Sequence, residues 1–140
     1  MPAPVVLPGT YESLSPIREY IQQAASEFGL DKRATYHLTL AVDEIATNSI
    51  MHGYLEANLQ GDLMVEAHLS KDAMSIVLED SGGFFDPGAI PPPYSLDLPA
   101  EERPIGGLGV YLALKGVDQF KYERIGDRNR HTFVMHRAAE

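Results

Sequence analysis

The 140-residue chain contains no cysteine. Thiol nucleophiles, thiolate metal sites and a disulfide framework are therefore excluded. Basic side chains are scarce, 11 Lys and Arg against 20 Asp and Glu, giving a net charge of −9. So acidic a chain is a poor nonspecific binder of nucleic acid or anionic membrane. No apolar run reaches the ~20 residues that span a bilayer. The opening stretch, Met1 to Ser13, has neither a basic end nor a long apolar core, so it does not read as a secretory signal. What is present is ordinary globular composition, 44% hydrophobic and 22% charged. The length suits one domain with its own core, ~100–150 residues being usual. The expectation is a soluble, cytoplasmic, single-domain protein.

The acidic excess belongs to residues 1–102, whereas residues 103–140 are net basic. Either this is chance surface variation, or the positive end meets phosphate or an acidic partner.

Periodicity divides the chain. Val5-Val6-Leu7 reads as an edge strand. Ser15-Pro16 reads as a helix N-cap followed by proline at the first helical position. Ile17, Tyr20, Ile21, Ala24, Ala25 and Phe28 then recur at helical spacing, and Gly29 is placed to end that helix. Asp31 can cap a second helix whose buried stripe is Leu38, Ala41, Val42, Ile45, Ala46 and Met51, with Gly53 as its stop. Leu63, Val65, Ala67 and Leu69 alternate with polar neighbours, as in a half-buried strand, and Met74 to Leu78 forms another. Residues 81–107 are too rich in glycine and proline for a regular element. Because little chain follows, this stretch reads as a lid rather than a linker between domains. A short helix from about Gly107, a strand with Phe120 and Tyr122, a hairpin turn over Ile125 to Arg130 with Gly126-Asp127 and Asn129, and a last strand from Thr132 to His136 complete the pattern. Grouped helices and hairpin-joined strands predict an α+β sandwich, with helices on one face of a largely antiparallel sheet.

Three clusters can carry chemistry. Glu44, Asn48 and His52 are four apart and share one helix face. Glu44 can act as a general base, and Asn48 offers a carbonyl oxygen to a hard cation such as Mg²⁺. His52 reads as a helix-end residue, where a cation suits the dipole. Asp80 ends an apolar strand just before Gly82 and Gly83. An acidic group there can accept from the amino group of a planar ligand, and glycines let backbone approach it. The run from Arg103 to Gly109, with Gly106, Gly107 and Gly109, opens a helix whose free N–H groups suit an anion. It is not a P-loop, because the Lys-Ser/Thr pair is missing. Each cluster also has a plain structural reading, as a solvated helix face, a strand-end turn and a loop.

Their order is more specific than any one of them. Glu-x-x-x-Asn on a helix, Asp-x-Gly at a strand end, a lid and Gly-Gly-Leu-Gly at a helix start resemble the GHKL ATPase superfamily. This superfamily includes histidine kinases, type II topoisomerases, heat-shock chaperones and mismatch-repair ATPases. The ending Asn-x-x-x-His-Gly-Tyr, at Asn48, His52, Gly53 and Tyr54, is similar to the bacterial anti-sigma factor serine/threonine kinases. The likeness runs from about Tyr11 to Arg137.

The resemblance implies the Bergerat ATP-binding fold: a two-layer sandwich of a mixed, largely antiparallel sheet with three main helices on one face and an ATP lid at about 83–106. It implies ATP and Mg²⁺ as cofactors. Asn48 would hold the metal, Glu44 would be the base, and Asp80 would accept from the adenine amino group beside Gly82. Gly107, Leu108 and Gly109 would meet the phosphates, Arg103 would reach one from the lid, and Thr132 would lie near adenine. The implied partners are a STAS-domain antagonist, which would be phosphorylated, and a sigma factor or other regulatory protein, which would be sequestered, with a homodimer as a candidate assembly. No nucleic acid or membrane is expected as a partner. Phe84 departs from the family's adenine-pocket pattern, standing where a second glycine is usual. No histidine-phosphoacceptor or sensor segment is recognised, so a complete two-component histidine kinase is not expected. The alternative function is a nucleotide-responsive binding switch without phosphotransfer. A third is an ATP-independent scaffold.

Overall fold

Alternation along the strands decides which side of the sheet the helices cover. In the computed structural model, which describes residues 3–82 and 107–137, five strands form one sheet in the order β1-β2-β3-β5-β4. They are β1 (Val5–Pro8), β2 (Asp62–Leu69), β3 (Ala73–Asp80), β4 (Gln119–Ile125) and β5 (Arg128–His136), and all four neighbouring pairs run antiparallel. Leu63, Val65 and Ala67 of β2, Met74, Ile76 and Leu78 of β3, and Phe133 and Met135 of β5 are buried. The helices α1 (Leu14–Phe28), α2 (Lys32–Asn48) and α3 (Gly107–Leu114) contribute to the same core. Ile17, Ile21 and Phe28 come from α1, and Leu38, Val42 and Ile45 from α2. Each large apolar side chain removed from water contributes roughly 1.5–3 kcal/mol, so this shared core holds the two layers together. The α+β sandwich expected from periodicity is the observed architecture.

The helix ends follow local chemistry. Gly29 closes α1 at φ 88°, a left-handed conformation that costs glycine little, and its N–H reaches back to Ala25 and Ser26. The Asp31 carboxylate caps α2 by accepting from the Ala34 N–H at 2.8 Å. The start of α1 differs from the expected Ser15 cap. A short 3₁₀ turn at Tyr11–Ser13 leads directly into Leu14, and the Ser13 hydroxyl donates to the Pro8 carbonyl instead of capping. Pro16 is tolerated because N–H groups of the first turn have no intrahelical acceptor.

Gly53 does not stop α2. The chain widens into π-helical turns over Ser49–Leu55. The extra residue per turn shifts the inward stripe, so Ile50 is fully buried while Met51 is only partly so. Gly53 instead gives backbone access: a Cβ placed on Gly82 would lie 2.7 Å from the Gly53 Cα. The next residue, Tyr54, is buried. Its hydroxyl donates to the Asp62 carbonyl at 2.6 Å and accepts from the Ser81 N–H at 2.8 Å. The π-helical segment is thereby tied to the start of β2 and the end of β3.

The β4–β5 turn is tighter than the expected Ile125 to Arg130: Gly126 and Asp127 alone lie between the strands, with Gly126 at φ 60°, and β5 already begins at Arg128. Part of the basic excess of the C-terminal region is used on the sheet face away from the helices. Arg128 and Arg130 both hold Glu79, at 2.9 and 2.6 Å. Burial would raise the Glu79 carboxyl, but these two guanidiniums outweigh it and hold it below the ordinary range. The predicted lid at 83–106 lies outside the described residues, as do Phe84 and Arg103.

Candidate nucleotide site

Two meetings of chain segments define the candidate site: the C-terminal half of α2 with the start of α3, and the π-helical segment after Asn48 with the end of β3. Helical spacing puts Glu44 and Asn48 one turn apart on α2. Asn48 is buried, and Glu44 is partly so. Gly107 and Leu108 open α3. At Gly109 a Cβ would stand 2.5 Å from Glu44 Oε1, so a larger residue there would push the carboxyl end aside. Burial, assisted by the neighbouring Asp43 charge, pushes the Glu44 carboxyl above the ordinary glutamate range. Asp43 itself turns outward to Arg18, with Nε 2.7 Å from Oδ1. A groove of about 580 Å³ between α1 and α2, lined by Arg18, Tyr36, Leu40 and Asp43 among others, belongs to that outer side and contains neither Asn48 nor Asp80.

Asp80 has the opposite environment. It is 1% exposed at the end of β3. Its Oδ1 accepts from the Gly82 N–H at 2.9 Å and the Asn129 amide at 2.8 Å. Its Oδ2 lies 3.5 Å from His131 Nε2. Burial would raise this carboxyl. Hydrogen bonds from His131, Asn129, Gly82 and Ser49 overcome that and hold it below the ordinary aspartate range. The carboxylate is thus held toward its ionised form, and its hydrogen-bond partners among the described residues are donors.

The Asn129 amide is oriented by its own partners. Tyr122 Oη and Arg124 Nη1 donate to Asn129 Oδ1, which leaves the NH₂ group for Asp80. Arg124 Nη1 also donates to the Gly82 carbonyl at 2.8 Å. Gly53 borders the same group: a Cβ there would lie 3.9 Å from Asp80 Oδ1. The π-helical segment after Asn48 therefore abuts the carboxylate at the end of β3.

Thr132 is not brought to this place. It pairs with Val77 and Lys121 on the sheet face away from the helices, whereas Asn129 and His131 pair with Asp80 and Leu78 on the helix-facing side. Strict alternation of side chains makes the two rows exclusive. His52 is engaged along its own helix, with Nδ1 2.6 Å from Glu56 Oε1. Sequence reasoning missed Ser49, Arg124, Asn129 and His131. The last two were legible in principle, because positions 129, 131, 133 and 135 form one period-2 row ending in Phe133 and Met135. Starting β5 at Thr132 cut that row in half.

Among the described residues no three His, Asp or Glu side chains gather as a metal cluster. The donor set nevertheless fits a nucleotide-borne Mg²⁺. Such an ion takes most of its ligands from phosphate and water, and one or two protein oxygens suffice. The glycines serve close packing of the chain on itself: Gly109 lies against the Glu44 carboxyl, and Gly82 against the Gly53 backbone.

Comparison with known proteins agrees with this geometry. Residues 7–135 match the histidine kinase-like ATPase domain family. The serine-protein kinase RsbW of Listeria innocua serovar 6a is 32% identical over 118 residues, covering 82% of this chain and 74% of that protein. The serine-protein kinase RsbW of Bacillus licheniformis is also 32% identical, over 75% of this chain and 67% of its own. The solved RsbU and RsbW domains of a Mycobacterium tuberculosis protein share the fold with a TM-score of 0.65 at 17% identity, across 99% of this chain and 34% of that one. The histidine kinase domain of a blue-light activated kinase from Erythrobacter litoralis superposes with a TM-score of 0.54 at 14% identity, over 87% and 60% of the two chains. No helix among the described residues is long and apolar enough to cross a membrane. The chain belongs to the histidine kinase-like ATPase domain family and, within it, to the RsbW serine-protein kinases.

Proposed function

We propose that this kinase binds Mg-ATP between α2, the end of β3 and the start of α3, and transfers the γ-phosphoryl group to a serine or threonine hydroxyl of a STAS-domain antagonist. In this reading the Glu44 carboxylate takes the proton as the hydroxyl oxygen bonds to phosphorus and ADP leaves. Asp80 accepts from the adenine amino group beside Gly82, and the N–H groups of Gly107, Leu108 and Gly109 face the phosphates. Asn48 supplies the protein ligand to Mg²⁺, whose contribution when bound is to neutralise phosphate charge. Phosphoryl transfer asks a protein chiefly for such positioning and charge compensation. Arg103 remains a candidate phosphate contact from the lid. Thr132 is left out of the adenine contact because it faces the other side of the sheet.

The observation that carries the reading is the approach of Gly109 to Glu44, which brings an anion-favouring helix start beside a carboxyl raised toward basicity. Sequestration of a sigma factor, released when the antagonist changes phosphorylation state, is the regulatory output, and such a role belongs in the cytoplasm. Calorimetric titration with ATP, with and without Mg²⁺, tests the site. Wild type is expected to bind in a Mg²⁺-dependent way, and Asn48→Ala to lose that binding. Unchanged affinity in the variant would remove Asn48 from the metal.

A further inference from the structure

His131 stands beside the proposed base-recognition carboxylate, yet nothing in the phosphotransfer chemistry uses it. It is 2% exposed. Its ring is held between aromatic neighbours, Phe120 at 6.1 Å and an interplanar angle of 20°, and Tyr122 at 5.4 Å and 40°. Nε2 faces Asp80 Oδ2 at 3.5 Å, while Nδ1 is buried with no hydrogen-bond partner among the described residues. A neutral imidazole carries one N–H and one bare nitrogen. An N–H at Nδ1 would be buried without an acceptor, which costs more than burying a bare nitrogen among aromatic rings. The proton therefore belongs on Nε2, the nitrogen that lies 3.5 Å from Asp80 Oδ2.

We infer that His131 is a positioning residue for nucleotide selection: as its Nε2–H tautomer it fixes Asp80 Oδ2, so that the carboxylate meets a donor on the ligand and rejects an acceptor. The inference rests on the assignment of Asp80 to the adenine amino group. The two carboxylate oxygens divide the work. Oδ1 already accepts from Gly82 and Asn129. His131 and Ser49 are the further donors to the carboxylate, so a ligand amino group would share it with them, a carboxylate offering about four lone-pair sites. A purine with a keto oxygen at the same position would set two acceptors against each other. His131 thus sharpens the preference for an amino-purine without touching the ligand.

The test compares affinities for ATP and for inosine triphosphate, which has a keto group in place of the amino group, in wild type, His131→Phe and His131→Gln. Wild type is expected to prefer ATP. His131→Phe keeps the ring but loses the donor, so it should lose about tenfold in ATP affinity with little change toward inosine triphosphate. His131→Gln puts an amide N–H near the position of Nε2 and should restore most of the preference. A merely structural defect would weaken both nucleotides alike and leave the ratio unchanged, which would overturn the inference. A wild type that binds neither nucleotide would overturn the nucleotide reading and this inference with it; a selective wild type with an unaltered ratio in His131→Phe overturns this inference alone. Should the Phe variant fail to fold, nitrogen NMR of labelled histidine in wild type decides the tautomer. A protonated Nε2 with a bare Nδ1 supports the assignment, and a proton on Nδ1 overturns it.

Discussion

Glu44 and Asp80 are both carboxylates in the same candidate site, and the fold treats them in opposite ways. Asp80 is almost wholly buried but surrounded by donors from three elements, so it stays charged. Glu44 is less buried, is accompanied by the like charge of Asp43, and is raised. Environment and not residue type separates the two, which suits the proposed roles of Asp80 as an ionised acceptor and Glu44 as a base, the pattern by which pairs of titratable groups divide acid–base roles. The supporting backbone differs in the same sense. The Asp80 end is braced by Tyr54, Asn129 and Arg124, whereas the carboxyl of Glu44 is a flexible side-chain end bounded by a glycine.

The sharpest way to break the comparison is Glu44→Gln, which preserves shape and removes the base. Transfer of the γ-phosphoryl group from radiolabelled ATP to a purified STAS-domain antagonist should fall by about 10²–10⁴-fold, with ATP affinity maintained. Retained transfer would remove Glu44 from the role of base. Gly109→Ala comes next. Its methyl group would collide with the movable end of Glu44, so transfer should drop by up to about 100-fold while the melting temperature changes little. Equal loss of rate and stability would mean that the contact is structural only. Gly82→Ala has the reverse signature, because the obstacle is the Gly53 backbone at 2.7 Å. Overpacking there should cost about 1–3 kcal/mol, read as a lower melting temperature together with weaker ATP binding.

How much of this was legible in the sequence follows from the same contrast. Helical spacing placed Glu44 and Asn48 on one face, the caps at Gly29 and Asp31 were readable from residue type, and the strands announced themselves by alternation. Those features are local. Apart from Gly82, the donors around Asp80 come from β5 and the π-helical turn, Asn129 lying 49 residues away along the chain. No local pattern reports such a meeting, and a hydroxyl at Thr132 was a more conspicuous candidate than Asn129 or His131. Register settles the matter, since Asp80 opposite Asn129 puts every second residue of β5 on the site's side. Gly53 misled for a related reason. Its lack of a Cβ serves a packing contact with Gly82 and not a helix stop.

The two carboxylates also make opposite contributions to stability across pH. A depressed aspartate stabilises the folded chain above its unfolded value of about 3.9 and loses that contribution as pH falls through the folded value. A raised glutamate favours the folded chain while protonated, and this contribution fades as pH rises from about 4.3 through the folded value. The most direct measurement is therefore a pH titration of the carboxyl carbon signals of Glu44 and Asp80 in the labelled protein, assigned with Glu44→Gln. The account predicts a Glu44 midpoint above the ordinary glutamate value and an Asp80 midpoint below the ordinary aspartate value. A Glu44 midpoint at or below the ordinary value, or an Asp80 midpoint above it, would contradict the division of labour between them.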